Sequence, residues 1–296
     1  MKAVYSIFAT HFSTQKYFIV MAITAQDVNK LRQMTGAGMM DCKKALTEAN
    51  GDFEQAIDIL RKKGQKVSAS RADRETSEGA VFVQTNADAT EGILIALGCE
   101  TDFVGKNQDF QQLGQEILET AVKNKPAGTE ELKSAKTSDG RSVEEKITEL
   151  VGKIGEKIDV LAYERLSGEK VVPYIHSNNK LGVMVALTNA GGEYEDAGKS
   201  VAMQIAAMNP VAVDRNGVDS STIERELEIA RDQVRAEGKP ENMIEKIATG
   251  KLNKFYKDNT LLEQQFVKDN SLTVEKYLDS VNKGMTVTKF KRVQIG

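Results

Sequence analysis

Ala80-Val81-Phe82-Val83-Gln84-Thr85-Asn86, followed after a polar turn by Gly92-Ile93-Leu94-Ile95-Ala96-Leu97, returns later in the chain as Val172-Pro173-Tyr174-Ile175-His176-Ser177-Asn178 and Gly182-Val183-Met184-Val185-Ala186-Leu187. Each passage is a β-rich run, a polar turn and a second apolar run, the pattern of a β-hairpin. Each leads into a helical pattern, Phe110 to Val122 in the first and Ala197 to Met208 in the second, with Leu113-Gly114 matching Ala197-Gly198. A pattern that recurs within one chain means one structural unit used twice. The expected fold class is α+β, with a core of two antiparallel hairpin-and-helix units.

The two copies differ between strand and helix. Leu97 to Gly114 spans 17 positions, whereas Leu187 to Gly198 spans 11, six fewer. The additional residues fall in Cys99-Glu100-Thr101-Asp102-Phe103-Val104-Gly105-Lys106. The second copy shows that the fold does without them, so a connection longer than packing needs is a candidate functional loop. An exposed phenylalanine can anchor in a partner's pocket. A carboxylate beside it adds orientation and can perturb a cation site through its charge. The ordinary alternative is a turn in which Asp102 caps the next helix and Phe103 packs beneath it.

Outward from the repeat, residues 22–64 fit three short helices. Thr24 and Asp27 make a capping pair ahead of Val28, Leu31 and Met34. Thr35-Gly36-Ala37-Gly38 breaks the first helix, Asn50-Gly51 turns the chain, and Asp52 with Gln55 opens a third helix that Gly64 is expected to end. Residues 65–78 read as a charged linker. The core is expected to divide into 79–157 and, on either side of an insertion, 158–220 with 260–296. Within it, Ile158 to Tyr163 and Thr286 to Ile295 read as strands, and Ser142 with Glu145 caps an amphipathic helix. The insertion, 221–259, reads as two helices joined at Gly238-Lys239-Pro240 into an arm whose apolar stripe needs a cover.

Residues 1–20 contain Tyr5, Phe8, Phe12, Tyr17 and Phe18 without an acidic residue, and Phe12 to Lys16 interrupt any signal-peptide core. They are expected to be a disordered extension or an upstream start ahead of Met21.

Composition narrows the function. The chain is 40% hydrophobic and 28% charged with a net charge of −3, which gives no general attraction to nucleic acid or anionic membranes. No apolar run is long enough to span a bilayer. Cys42 and Cys99 are far apart, as are His11 and His176, so neither a disulfide framework nor a metal site is expected. No nucleophile elbow or phosphate-binding glycine loop is present. The expectation is a binding protein that is not an enzyme and carries no cofactor.

Two further stretches carry a resemblance. Thr35-Gly36-Ala37-Gly38-Met39-Met40-Asp41-Cys42-Lys43-Lys44-Ala45-Leu46 resembles the N-terminal signature of the bacterial elongation factor Ts family, and Thr101-Asp102-Phe103-Val104 resembles its central one. Tyr174 and His176 ahead of Leu181-Gly182-Val183 also fit, so the resemblance runs nearly the length of the chain. It implies a guanine nucleotide exchange factor for elongation factor Tu in translation elongation, acting in the cytoplasm on the GDP-bound and nucleotide-free partner. By the same resemblance, residues 22–64 are a ubiquitin-associated-like module docking on the partner, through residues among Gly36, Gly38, Met39, Met40, Asp41, Lys43 and Lys44. Tyr174 and His176 lie on a second partner-binding face. Thr101, Asp102, Phe103 and Val104 disturb the partner's Mg²⁺ and nucleotide site so that GDP leaves. The arm is the element through which two copies pair. The competing expectation is a passive adaptor that binds a partner and releases nothing.

Overall fold

The computed structural model describes residues 23–296, so the expected extension over 1–20 lies outside the described residues. The protein divides into two compact units, one up to Lys63 and one from Gly64 onward.

The first unit is helical, and the residues of its last helix from Gly64 onward belong to the second unit. Helix α1 (Ala25–Thr35) opens on the expected capping box of Thr24 and Asp27, and closes on Gly36 at φ 66°, a left-handed position that glycine occupies without a Cβ penalty. Helix α2 (Met39–Glu48) follows, and helix α3 (Phe53–Ser70) begins where the Gln55 N–H donates to the Asp52 carboxylate at 3.0 Å. Val28, Leu31, Cys42, Leu46 and Ala56 form the buried seam.

Gly64 does not end α3. The helix continues to Ser70, well into the expected linker. A Cβ at Gly64 would lie 3.2 Å from the Thr148 carbonyl oxygen, and one at Gly152 would lie 2.6 Å from the Gly64 Cα. The glycine serves close approach of two helix backbones instead of chain termination.

The second unit holds two three-stranded antiparallel sheets. Strands β1 (Glu78–Thr85) and β2 (Glu91–Cys99) form the first hairpin, and a single-turn helix α4 (Asp102–Gly105) occupies the additional residues. Then come α5 (Gln108–Asn124), α6 (Thr129–Ser134), α7 (Val143–Ile154) and β3 (Ile158–Ser167). Strand β3 pairs with β2 in the order β1-β2-β3, so the strand over 158–163 belongs with the first copy and not, as the sequence suggested, with the second. Strands β4 (Lys170–Ile175) and β5 (Leu181–Thr188) form the second hairpin, followed by α8 (Tyr194–Met208).

The arm is α9 (Ser220–Ala236) and α10 (Glu241–Asn259), turned at Gly238 with φ 69°. Its seam buries Ala230, Val234, Ile244 and Ala248, and an Arg231–Glu245 pair at 2.7 and 3.0 Å bridges the helices. A small hairpin, β6 (Gln265–Phe266) and β7 (Asp269–Thr273), precedes α11 (Val274–Val281). Strand β8 (Thr286–Gln294) then completes the order β4-β5-β8.

Strands β2 and β5 are buried almost throughout, on both faces. One row of β2, Ile93, Ile95 and Leu97, packs under helices with Phe110, Ile117 and Ile147. The other row, Leu94 and Ala96, meets Val171, Met184 and Ala186 across the space between the sheets. Val183, Val185 and Leu187 of β5 pack under helices with Val201, Ile205 and Leu278. Each sheet therefore has helices on its outer face and the other sheet on its inner face, which explains strands that read as continuous apolar runs despite antiparallel pairing.

The two hairpins correspond in backbone register, two residues from the register the sequence suggested. Thr85 pairs with Gly92 and Ile175 with Gly182, so the two hairpin turns have equal length. Ala89 and Asn179 occupy the same turn position, both left-handed, at φ 54° and 58°. The Val81 N–H donates to the Asn179 carbonyl at 2.8 Å, and the Val171 N–H donates to the Ala89 carbonyl at 2.5 Å. Each hairpin turn thus binds the edge strand of the other copy. Gly114 and Gly198 also correspond: a Cβ would lie 2.1 Å from the Phe82 ring in one and 2.4 Å from the Val172 side chain in the other.

Candidate interaction site at the end of strand β2

The segment after β2 has three differently placed side chains within one helical turn. Thr101 is the N-cap of α4, its hydroxyl 3.5 Å from the Val104 N–H. Val104 faces inward and joins the core beneath α5. Gly105 is buried against the Gly79 backbone. Phe103, between them, is 82% exposed, more than any other large apolar side chain among the described residues. The turn therefore does not pack Phe103 beneath it, as the ordinary alternative required. A four-residue helix has no stability of its own, so α4 persists because Val104 and Gly105 fasten it to the sheet.

Asp102 also faces outward. Its carboxylate takes a 2.7 Å bond from the Lys106 ammonium one turn on, and that bond holds its pKa below the ordinary 3.8. The same contact raises Lys106. The pair lines a cleft of about 680 Å³ that is also lined by Ser177 to Lys180 of the second hairpin turn. Glu78 and Lys180, 3.1 Å apart, form a second ion pair on the cleft.

Thr101 is held from outside its own helix. Its N–H donates to Glu156 at 3.0 Å and its hydroxyl donates to the same carboxylate at 2.8 Å. Glu100, one residue earlier, accepts the Lys157 N–H at 2.7 Å and the Arg71 guanidinium at 3.1 and 3.2 Å. The Lys157 amide, and after it the Arg71 charge, hold Glu100 below its ordinary 4.5. Lys157 in turn donates to the carbonyls of Ala72 and Arg74 at 2.6 and 2.9 Å. Cys99 is fully buried, and burial, with the charges of Glu156 and Glu78 nearby, pushes its thiol up to about 12. It is not a nucleophile at neutral pH.

The remaining sequence candidates fall in two places. Tyr174 is in β4 and His176 follows it, with the Tyr174 hydroxyl 2.9 Å from His176 Nδ1. His176 is exposed and directly precedes Ser177 of the cleft wall. Within the helical unit, Gly36 caps α1, Gly38 caps α2, and Met39 and Met40 at the start of α2 are 51% and 63% exposed. Met34 stands exposed on α1, and Lys43 and Lys44 are exposed on α2. Asp41 is half-buried and paired with Lys63. Cys42 is buried in that unit's seam.

Sequence reasoning placed Glu100 in the candidate loop without a role and missed Glu156, which lies 55 positions from the residue it holds. Among the described residues no group of His, Cys, Asp and Glu is arranged to hold a metal ion, and no helix is long and apolar enough to cross a membrane.

Residues 100–296 match the family model described as Elongation factor TS. The chain is 61% identical over 274 residues to a protein of Cytophaga hutchinsonii named Elongation factor Ts, covering 92% of this chain and 99% of that one. It is 61% identical over 277 residues to the Elongation factor Ts of Amoebophilus asiaticus, covering 93% and 100%. The corresponding figures for the Elongation factor Ts of Christiangramia forsetii are 53% over 274 residues, 93% and 99%.

Proposed function

We propose, from the premise that the chain belongs to the elongation factor Ts family, that it acts in the cytoplasm as the guanine nucleotide exchange factor for elongation factor Tu. The observation that carries the reading is Phe103, 82% exposed on a turn that Val104 and Gly105 fasten to the protein. A free aromatic ring costs a chain solubility. Held in one direction, it is an anchor for a partner's pocket. Asp102 beside it brings a carboxylate to the same place, where it competes for, or repels the oxygens around, a bound Mg²⁺.

In this reading the partner arrives with GDP and its magnesium ion. Phe103 enters between elements of the partner and shifts them, Asp102 disturbs the ion, and GDP leaves. Thr101, which caps the turn, and Val104, which is buried beneath it, hold the other two in place. The exposed methionines Met39 and Met40, with Lys43 and Lys44, dock the helical unit on the partner. Tyr174 and His176 supply a contact on the second copy. The arm, with Ile229 and Met243 exposed, is where a second copy of the chain would pair.

Nothing covalent changes, so the protein is not an enzyme in this account. Linkage constrains it further. A factor that binds nucleotide-free partner more tightly than the GDP complex is itself weakened by nucleotide in the same ratio. It speeds exchange without shifting the balance between GDP and GTP.

Release of a fluorescent GDP analogue from purified elongation factor Tu tests the reading. The expected result is release accelerated in proportion to added protein. Binding without acceleration would make the chain a passive adaptor and overturn the exchange assignment.

A further inference from the structure

The β2–β3 ladder ends where Cys99 faces Ile158. The two segments beyond it stay together through side chains. Glu156 takes the Thr101 N–H, and Glu100 takes the Lys157 N–H, so each segment offers a carboxylate to the other's backbone amide. Hydrogen bonds onto an ionised acceptor are roughly twice as strong as neutral ones. The pair of them extends the sheet by one step after the strands have stopped.

The second copy leaves its sheet differently. There Glu169 accepts from the Thr188 hydroxyl and from the N–H groups of Asn189 and Ala190, at 2.9 to 3.2 Å, and the chain passes into α8 without an intervening helix. The Glu156 bonds therefore belong to the copy that carries the additional residues.

We infer that Glu156 is the positioning residue of the Asp102-Phe103 turn, fixing the direction in which Phe103 leaves the surface. The inference rests on the exchange reading for its functional consequence, but not for its structural one. The downstream end of α4 is fastened by Val104 and Gly105. The upstream end depends on Thr101, whose own cap contact to the Val104 N–H is long at 3.5 Å and so weak. Two bonds that one carboxylate accepts, from the Thr101 N–H and the Thr101 hydroxyl, are what fix it. They also settle which way the hydroxyl points: its proton goes to Glu156 and its lone pair is left for Val104. Without Glu156 the upstream end keeps only the Glu100 bonds and the contact of the Cys99 thiol with the Thr101 carbonyl, neither of which holds the Thr101 amide or hydroxyl, and Phe103 samples a wider range of directions.

The experiment uses the full chain with 4-fluorophenylalanine at position 103, as Glu156, Glu156→Gln and Glu156→Ala. Two quantities are read: the fluorine resonance of the free protein, and stimulated GDP release from elongation factor Tu by the unlabelled chains. Glu156→Ala is expected to slow stimulated release about ten-fold, a modest share of the roughly hundred-fold that a misplacement of about 1 Å can cost. Its fluorine line is expected to move towards the value in the unfolded chain, at an unchanged melting temperature. Glu156→Gln retains one acceptor oxygen and is expected to fall between the two on both readouts. It carries the test if the alanine chain does not fold. Wild-type release together with a wild-type fluorine line in Glu156→Ala overturns the proposal, as do losses in both variants that merely follow a falling melting temperature. Failure of the exchange reading is distinguishable: the wild-type chain then does not stimulate release at all, while the fluorine line still reports on Glu156.

Discussion

Phe103 and Val104 are neighbours in the chain with opposite surroundings: the phenylalanine is 82% exposed and the valine 7%. A single step along the helix, about 100° of rotation, separates a residue that the fold uses from one that it does not. Substitutions at the two positions should therefore separate binding from stability.

Phe103→Ala is expected to leave thermal unfolding unchanged, because there is little burial to lose. It should slow stimulated GDP release by at least ten-fold, from an anchor worth about 2 kcal/mol. Scanning calorimetry and the release assay, run on the same preparation, check both halves. A fall in melting temperature that parallels the loss of release would mean the ring has a structural role.

Val104→Ala should behave in the reverse sense. Removing buried methyl groups costs about 1–2 kcal/mol by transfer and incomplete collapse of the site. Urea denaturation should show the midpoint shift at unchanged m-value. Exchange should be reduced far less than by Phe103→Ala under conditions where the chain is folded.

Gly64 and Gly152, which approach each other within the second unit, give a third test. A Cβ at Gly152 would stand 2.6 Å from the Gly64 Cα, a backbone atom that no side-chain rotation can clear. Gly152→Ala should destabilise the protein by about 1–3 kcal/mol through overpacking, read as a lower denaturant midpoint. An alanine tolerated without loss would show that the helices separate easily.

Glu100 sets an acid limb. Its folded pKa lies below the ordinary 4.5 because the Lys157 N–H, and then Arg71, favour the carboxylate. A depressed carboxylate contributes stability that is fully present above the unfolded value and is lost as pH falls through the folded one. Urea midpoints of the wild type and Glu100→Gln should thus differ by a constant amount from pH 7 to 5.5. They should converge as the pH drops below about 4.5, the unfolded value. A difference that persists at low pH would assign the stabilisation to something other than the charge.

Much of this architecture is legible in the sequence, and the parts that are not have definite causes. The strand runs, the capping boxes at Thr24 and Ser142 and the helical arm follow from periodicity and local chemistry. Hairpin register does not. Asn86 and Asn178 look equivalent as turn residues, but the backbone pairs place Asn86 with His176. The strand 158–163 is ambiguous because pairing with β2 or with β5 satisfies the same apolar pattern. Gly64 reads as a stop signal because a sequence cannot reveal a second helix at its side. At the site, Asp102 and Phe103 are visible as residues that the second copy lacks. The roles of Glu156 and Glu100 are not, since a carboxylate that receives an amide many residues away leaves no spacing to detect.

Strand β5 has a longer-term consequence for how the protein reaches this structure. Its partner on one side, β4, is a tight turn away, but on the other side Leu181 pairs with Gln294, with the whole arm between. While that distant strand is still unattached, β5 presents an open apolar edge, the kind of surface that invites pairing with another chain. Closing it requires a long loop to be gathered first, which slows the last step. The arm helices thus create an interval in folding during which a chaperone, or a neighbouring copy of the unfinished chain, has something to hold.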